Sequence, residues 1–216
     1  MALQANEVKI YGRLSYPNLF TPRAVAQDSD KKNYSASILI PKSDAQIQAI
    51  TTAIEAAVNQ GVADGKFKTA IDPAHTKYPP LRDGDSMNSN GEPRGAEYKN
   101  HHFISAKSNE DRRPFVVDQE AHPIMDEQDI YAGCYVYAVV RFFPYSHATG
   151  GKGISASLIG VQKVKDGEPL GGERAEVSDY FAAIPGAAAA APTGGFGQAA
   201  PAAQPAQEQA APGLGF

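Results

Sequence analysis

From Val8 to Tyr16 apolar and polar side chains alternate. Val8, Ile10, Gly12, Leu14 and Tyr16 share one side, and Lys9, Tyr11, Arg13 and Ser15 share the other. Successive side chains of a strand point to opposite faces, so the pattern predicts a half-buried strand with an aromatic and basic outer face, ended by Pro17. Asn33 to Ile40 repeats it, with Tyr34, Ala36, Ile38 and Ile40 opposite Ser35, Ser37 and Leu39, and Pro41 closes the segment. Tyr16 and Tyr34 share faces with aliphatic residues and are expected in the core. The period then changes. Ile47, Ile50, Ile54 and Val58 recur at spacings of three and four. This predicts a helix packed on the core, with Ser43 or Asp44 as N-cap and Gly61 and Gly65 marking its end.

Residues 66–100 are punctuated by Pro73, Pro79, Pro80, Gly84, Gly91, Pro93 and Gly95. They predict a long irregular connection, of the kind that in a compact domain is functional or partly disordered. His101 to Lys107 and Pro114 to Asp118 predict two further strands. Ile130 to Tyr145 predicts a long one, and Ile154 to Val164 its partner across the loop 147–153, on which Lys152 would ride. Glu176 to Ala183 fits a last short helix. From about Pro185 the chain is Ala, Pro, Gly and Gln, with Glu208 the single charged side chain. Such a segment buries too little apolar surface to offset the entropy of ordering, so a flexible tail is expected over 185–216, after a domain spanning 1–184.

The long strand carries the strongest chemical signal. Alternation places Tyr131, Gly133, Tyr135, Tyr137, Val139, Arg141 and Phe143 on one face. Ala132, Cys134, Val136, Ala138, Val140 and Phe142 form the other, which is small and apolar as a core face should be. Flat rings beside a cation on a sheet surface suit the stacking of unpaired bases and the holding of their phosphates. A strand buried on both sides, with tyrosine hydroxyls reaching solvent, would show the same pattern, because aromatics are enriched in strands.

Charge sharpens the picture. The chain of 216 residues has a formal net charge of −4, which argues against indiscriminate nucleic-acid binding, yet the distribution is uneven. Residues 1–42 hold Lys9, Arg13, Arg23, Lys31, Lys32 and Lys42 against Glu7, Asp28 and Asp30. Residues 131–165 hold Arg141, Lys152, Lys163 and Lys165 and no acid. Acidic side chains gather in the connections, notably Glu110, Asp111, Asp118, Glu120, Asp126, Glu127 and Asp129. Basic strands with acidic connections are the footprint of a groove for a polyanion. Cys134 is the single cysteine; it allows no internal disulfide, fits a reducing cytoplasm, and on an apolar strand face is expected as a small core residue. Residues 1–6 do not resemble a signal peptide, and no apolar run is long enough to span a bilayer.

No constellation for catalysis stands out. A phosphate loop with its lysine and hydroxyl is missing, as is a nucleophile elbow. Asp83 and Asp85, in Arg82-Asp-Gly-Asp, are the one pair that could hold a divalent metal in a nuclease-like enzyme, but a solvated turn explains them as well. Adjacent His101 and His102 would face opposite ways on a strand and cannot share an ion. No cofactor is expected. What remains is a binding surface. Lys9, Tyr11 and Arg13 come from the first strand, and Tyr135, Tyr137, Arg141 and Phe143 from the long one. Lys152 and Lys163 follow it. Arg82 and Tyr98 in the long connection, with Lys32 and Lys107 on neighbouring strands, could extend the surface; Arg94 and Lys99 in that connection could also reach a strand. If these strands neighbour one another in a small barrel, the side chains form one stripe. Stacking tolerates any base, and duplex DNA hides its base faces, so the expected ligand is single-stranded and bound without sequence preference.

The residues Gly12-Arg-Leu-Ser-Tyr-Pro-Asn-Leu-Phe20, Tyr34-Ser-Ala-Ser-Ile-Leu-Ile-Pro-Lys42, Gly133 to Phe143 and Gly153-Ile-Ser-Ala-Ser-Leu-Ile-Gly-Val-Gln162, in this order, resemble the phage-encoded single-stranded DNA-binding proteins once classed as a domain of unknown function. The resemblance runs from about Val8 to Tyr180. It implies a mainly β fold with one principal helix, an OB-fold-like five-stranded barrel with a long inserted loop. It also implies coating of single-stranded DNA in phage replication and recombination, in the cytoplasm of the bacterial host, without enzyme activity. Replication binding proteins often end in an acidic tail with a terminal aromatic residue that recruits phage or host partner proteins. Phe216 fits that pattern but the acidic run is missing, so a plain spacer is the favoured reading of the tail over partner recruitment. A β-rich phage structural or assembly protein, using the same aromatic face to bind other proteins, is the alternative.

Overall fold

In the computed structural model, which describes residues 2–24, 30–88, 90–147 and 151–171, seven strands form one sheet with a single long helix packed against it. The strands are β1 (Glu7–Ala24), β2 (Lys32–Pro41), β3 (Arg82–Asp83), β4 (His101–Asn109), β5 (Phe115–Val117), β6 (Tyr135–His147) and β7 (Gly151–Lys165); helix α1 (Gln46–Ala63) follows β2. β1 pairs antiparallel with both β2 and β6, β2 with β4, and β6 with β7. A parallel bridge between Lys107 and Ser157 joins β4 to β7 and closes the sheet. Five strands therefore make a closed barrel of OB topology, with β3 and β5 appended at its rims.

Alternation decides what fills the barrel. Ile10 and Leu14 of β1, Ile38 and Ile40 of β2, Ile104 of β4, Val136, Ala138, Val140 and Phe142 of β6, and Leu158 of β7 all point inward and are buried. Tyr34 and Cys134 are buried as expected. α1 lays Ile50, Ile54 and Val58 onto the same core, so its apolar stripe closes the barrel rather than facing solvent. Each aliphatic side chain fully buried here contributes roughly 1.5–3 kcal/mol relative to exposure.

Several local expectations are corrected. Pro17 does not end β1; the strand runs on to Ala24 through register shifts after Ser15 and Asn18. At the first shift Tyr16 takes a positive φ of 45°. The alternation breaks there, so Ser15 is buried and Tyr16, expected in the core, is 70% exposed. The N-cap of α1 is Ala45, neither Ser43 nor Asp44; Asp44 Oδ1 accepts from Gln46 N at 2.9 Å in the turn just before it. Gly61 lies inside α1, not at its end. A Cβ there would come 2.5 Å from Phe67 Cδ2 and 2.8 Å from Pro144 Cβ, so glycine admits the Phe67 ring against the helix. β6 starts at Tyr135, not Ile130, because Tyr131–Cys134 form a turn. Lys152 stands in β7, opposite Ser146 of β6, and not on a loop. The helix expected at Glu176–Ala183 and the tail over 185–216 lie outside the described residues. No helix among the described residues is long and apolar enough to cross a membrane.

Candidate nucleic-acid interface

Side chains directly opposite in a ladder share a face of the sheet. Arg82 lies opposite Phe103, Phe103 opposite Leu39, Leu39 opposite Arg13, Arg13 opposite Tyr135, and Tyr135 opposite Lys165. One row thus crosses the outer face of six strands, from β3 to β7. At a strand spacing of about 4.8 Å it is roughly 24 Å long measured around the curved sheet. The next row is Tyr11, Tyr137 and Gln162, and the one after it Lys9, Val139 and Gly160.

These two neighbouring rows bring the aromatic residues together. Tyr11 stacks on Tyr135 with ring centroids 5.9 Å apart and planes 17° apart, and meets Tyr137 at 5.4 Å, tilted by 56°. Cations flank the trio. Lys9 Nζ stands 4.2 Å above the Tyr137 ring, and Lys165 Nζ 4.6 Å from the Tyr135 ring. Tyr11 and Tyr135 are half-buried and Tyr137 is 38% exposed, so the cluster is partly open to solvent. The trio is fixed from below. Gln46, the first residue of α1, accepts from Tyr11 N at 2.9 Å and donates to Tyr11 O at 2.7 Å, so its amide replaces the β2 backbone where β2 has parted from β1.

The other flank is built differently. Leu39, Tyr98 and Phe103 are buried on the outer face of β2 and β4, under the long connection, with Leu170 packed against them. Tyr98 meets Phe103 edge-on at 5.1 Å, and its hydroxyl pairs with the buried Ser15 Oγ at 3.1 Å. Burial pushes the Tyr98 phenol above its ordinary pKa, so it stays neutral, and the buried ring is not free to stack on a base. Arg82 and Arg94 both lie over the Phe103 ring, at 4.6 and 4.7 Å.

Between the flanks the chain crosses its own face. Arg13 Nε donates to Gly133 O at 3.3 Å and Arg13 Nη2 to Glu168 O, and Leu170 N donates to Ala132 O at 2.8 Å. Gly133 makes this crossing possible. Its φ is 118°, and a Cβ would lie 2.2 Å from Glu168 O. Arg13 therefore stands on the expected face with its guanidinium used by two carbonyls.

The remaining expected residues are scattered. Arg141 Nε donates to Glu7 Oε1 at 2.7 Å, an internal pair beside the N-terminal segment. The Glu7 carboxyl is held below its ordinary pKa by the Gln4 backbone N–H and by Arg141, against the opposing effect of burial. Lys163 pairs with Asp166 at 2.8 Å and sits 5.8 Å from the Tyr131 ring. Phe143 is exposed but eight residues along β6 from Tyr135, about 26 Å at the usual rise, and Lys152 lies farther toward the same hairpin tip. Lys107 is exposed on β4 opposite Ser35, and Lys32 stands at the start of β2 opposite Ala24. Phe216 is outside the described residues. Asp83 and Asp85, the candidate metal pair, both bind Lys42, at 2.6 and 2.7 Å. Among the described residues no three His, Cys, Asp or Glu side chains cluster as metal ligands would.

Three residues of this candidate interface are not among those the sequence singles out: Gln46, Phe103 and Lys165. Phe103 shares the period-two face of Lys107, and Lys165 ends the acid-free strand, so both were signalled. Gln46 was not, because its role depends on where α1 docks.

A family model described as the single-stranded DNA-binding protein of Enterobacter phage Enc34 matches residues 6–189. The putative protein p50 of Acyrthosiphon pisum secondary endosymbiont phage 1 is 35% identical over 186 residues, covering 83% of this chain and 92% of that protein. The single-stranded DNA-binding protein of bacteriophage Enc34, solved in complex with single-stranded DNA, superimposes with a TM-score of 0.62 at 28% identity, over 78% of this chain and 91% of that one. The single-stranded DNA-binding protein gp2.5 of bacteriophage T7 shares the fold alone, with a TM-score of 0.51 at 17% identity over 82% of this chain and 98% of that one. From the ordered outer-face row, the closed barrel and these matches, the chain belongs to the family of the Enc34 phage single-stranded DNA-binding protein.

Proposed function

We propose that the protein binds single-stranded DNA without sequence preference and acts in phage DNA replication and recombination, in the host cytoplasm, as a non-enzymatic coating protein. One observation carries the proposal: three tyrosines from two adjacent strands form a partly open cluster, flanked by Lys9 and Lys165, on the outer face of an OB barrel. Bases stack on such rings at roughly 1–3 kcal/mol each, and the lysines take the phosphates. The Enc34 protein, which was solved with single-stranded DNA, supports the same ligand here. Residues 1–184 form the binding domain in this proposal. Residues 185–216, ending in Phe216, serve as a spacer or as a contact for replication and recombination proteins. The pairing of Lys42 with both Asp83 and Asp85 weighs against the nuclease alternative.

The test is fluorescence anisotropy of a labelled oligo-dT, at low and high salt, with a duplex of equal length as control. Tight binding to the single strand, weakened by salt and much weaker for duplex, is expected. No binding at low salt would overturn the proposal and leave the alternative, a phage assembly protein that uses the same face to bind proteins.

A further inference from the structure

Arg82 and Arg94 are held side by side over one aromatic ring, at 4.6 and 4.7 Å from the Phe103 centroid. Neither makes an ion pair with a carboxylate among the described residues, although Glu92 and Glu97 are close in sequence. Arg94 donates to Met87 O at 3.3 Å. The Nε atoms of both arginines are buried without a hydrogen-bond partner. Both residues are half-buried. Burial, and then the adjacent Arg94 charge, depress the Arg82 pKa, with Tyr98 opposing.

This arrangement breaks the rule that buried charges are paired. The fold could relieve it cheaply with one acidic side chain in the surrounding connection, and does not. Two like charges kept together, half out of water and without a carboxylate among the described residues, are complementary to an anion that the outer N–H groups of the two guanidiniums can reach. Arg82 is also the first position of the outer-face row, whose other end is Tyr135 and Lys165. We propose that Arg82 and Arg94 form a clamp for one backbone phosphodiester of the bound single strand, at the end of the face opposite the tyrosine cluster. The clamp rests on the proposed function for its ligand, but its chemistry, a phosphate monoanion between two guanidiniums, does not depend on the tyrosines. A strand held at both ends would lie across the sheet strands, with bases stacked at one end and its phosphate fixed at the other. Phe103 then serves as the floor that aligns the two guanidiniums and not as a stacking platform.

The test compares wild type, Arg82→Gln, Arg94→Gln and the double variant in oligo-dT titrations over a range of salt, and in thermal unfolding with and without inorganic phosphate. Each single variant is expected to lose about tenfold in affinity at low salt, and the slope of log affinity against log salt to flatten by about 0.7 for the lost phosphate contact. In phosphate-free buffer the single variants are expected to melt at or above the wild-type temperature, since a like-charge contact is removed. Added phosphate should raise the wild-type melting temperature more than that of the double variant. Wild-type affinity and slope in the double variant would overturn the clamp, as would lower melting temperatures with an unchanged slope, which would mark the arginines as structural. If wild type itself fails to bind oligo-dT, the proposed function fails. The phosphate measurement then still judges the clamp, and equal stabilisation of wild type and double variant sinks it.

Discussion

Gln46 binds both backbone groups of Tyr11, accepting from its N–H at 2.9 Å and donating to its carbonyl at 2.7 Å. A helix residue thereby completes the edge of a strand and sets the height of the ring that stacks on Tyr135. Gln46→Ala removes two hydrogen bonds from a partly buried backbone. Denaturant unfolding should show a loss of roughly 1–3 kcal/mol. Oligonucleotide affinity should fall as well, because the Tyr11 ring loses its anchor; a stability loss with unchanged affinity would detach Tyr11 from the site.

Tyr135→Ala combined with Tyr137→Ala should weaken oligo-dT binding by at least tenfold while leaving the far-ultraviolet circular dichroism unchanged. The rings lie on the outer face, and the core below them is built from Val136 and Ala138. Each base stack is worth roughly 1–3 kcal/mol. Replacement by phenylalanine at both positions should keep most of the affinity, since stacking uses the ring and not the hydroxyl. A folded alanine double variant with wild-type affinity would place stacking elsewhere.

Cations on the same barrel should separate into two groups. Arg141 donates to Glu7, whose side chain is only 9% exposed. Arg141→Gln should therefore lower stability by roughly 1–3 kcal/mol and leave the salt dependence of DNA binding unchanged. Lys165 has an aromatic neighbour and no carboxylate among the described residues. Lys165→Gln should do the reverse, flattening the salt slope by about 0.7 with an unchanged melting temperature. Salt titrations and thermal melts on the two variants check this directly.

Acid should loosen the barrel through Glu7, Asp83 and Asp85. All three carboxyls are held below their ordinary values, Glu7 first by the Gln4 N–H and the aspartates first by Lys42. A depressed folded pKa adds stability that is present above the unfolded value, 4.5 for Glu7 and 3.8 for the aspartates, and that is lost as pH falls through the folded value. In that window the unfolded chain binds more protons, so stability rises with pH. Lys42, whose pKa is raised, contributes below 10.5 and loses its contribution as pH climbs past it. Melting temperatures from about pH 7 to pH 3 should fall more steeply for wild type than for Glu7→Gln; parallel curves would show that Glu7 is not the sensing group.

Period-two patterning carried most of the fold. Lys9, Tyr11 and Arg13 stand outside and Ile10 and Leu14 inside because alternation leaves no other choice once a core forms. It failed where the backbone departs from regular pleating. Tyr16 was misplaced because a positive φ at an irregularity reverses the faces, and nothing in Ser15-Tyr16-Pro17 announces that. Which rings meet was less legible than which rings face outward. Phe143 and Tyr135 share a face and are far apart along β6, while Tyr11 and Tyr135, 124 positions apart in the sequence, stack because of the β1–β6 register. Likewise a basic residue looks the same in sequence whether it meets solvent or, like Arg141, a carboxylate brought from the other end of the chain.

The row from Arg82 to Lys165 has no precursor in a shorter chain. Its members run from β1, the first strand made, to β7, the last, and two of its five neighbouring pairs, Leu39 with Phe103 and Arg13 with Tyr135, join strands that are not consecutive in the chain. Contacts of that range close late and slowly during folding. A nascent chain that has not yet emerged through Lys165 has neither a closed barrel nor a complete outer face. During synthesis, then, the closed hydrophobic interior and the complete outer-face row arrive in the same step.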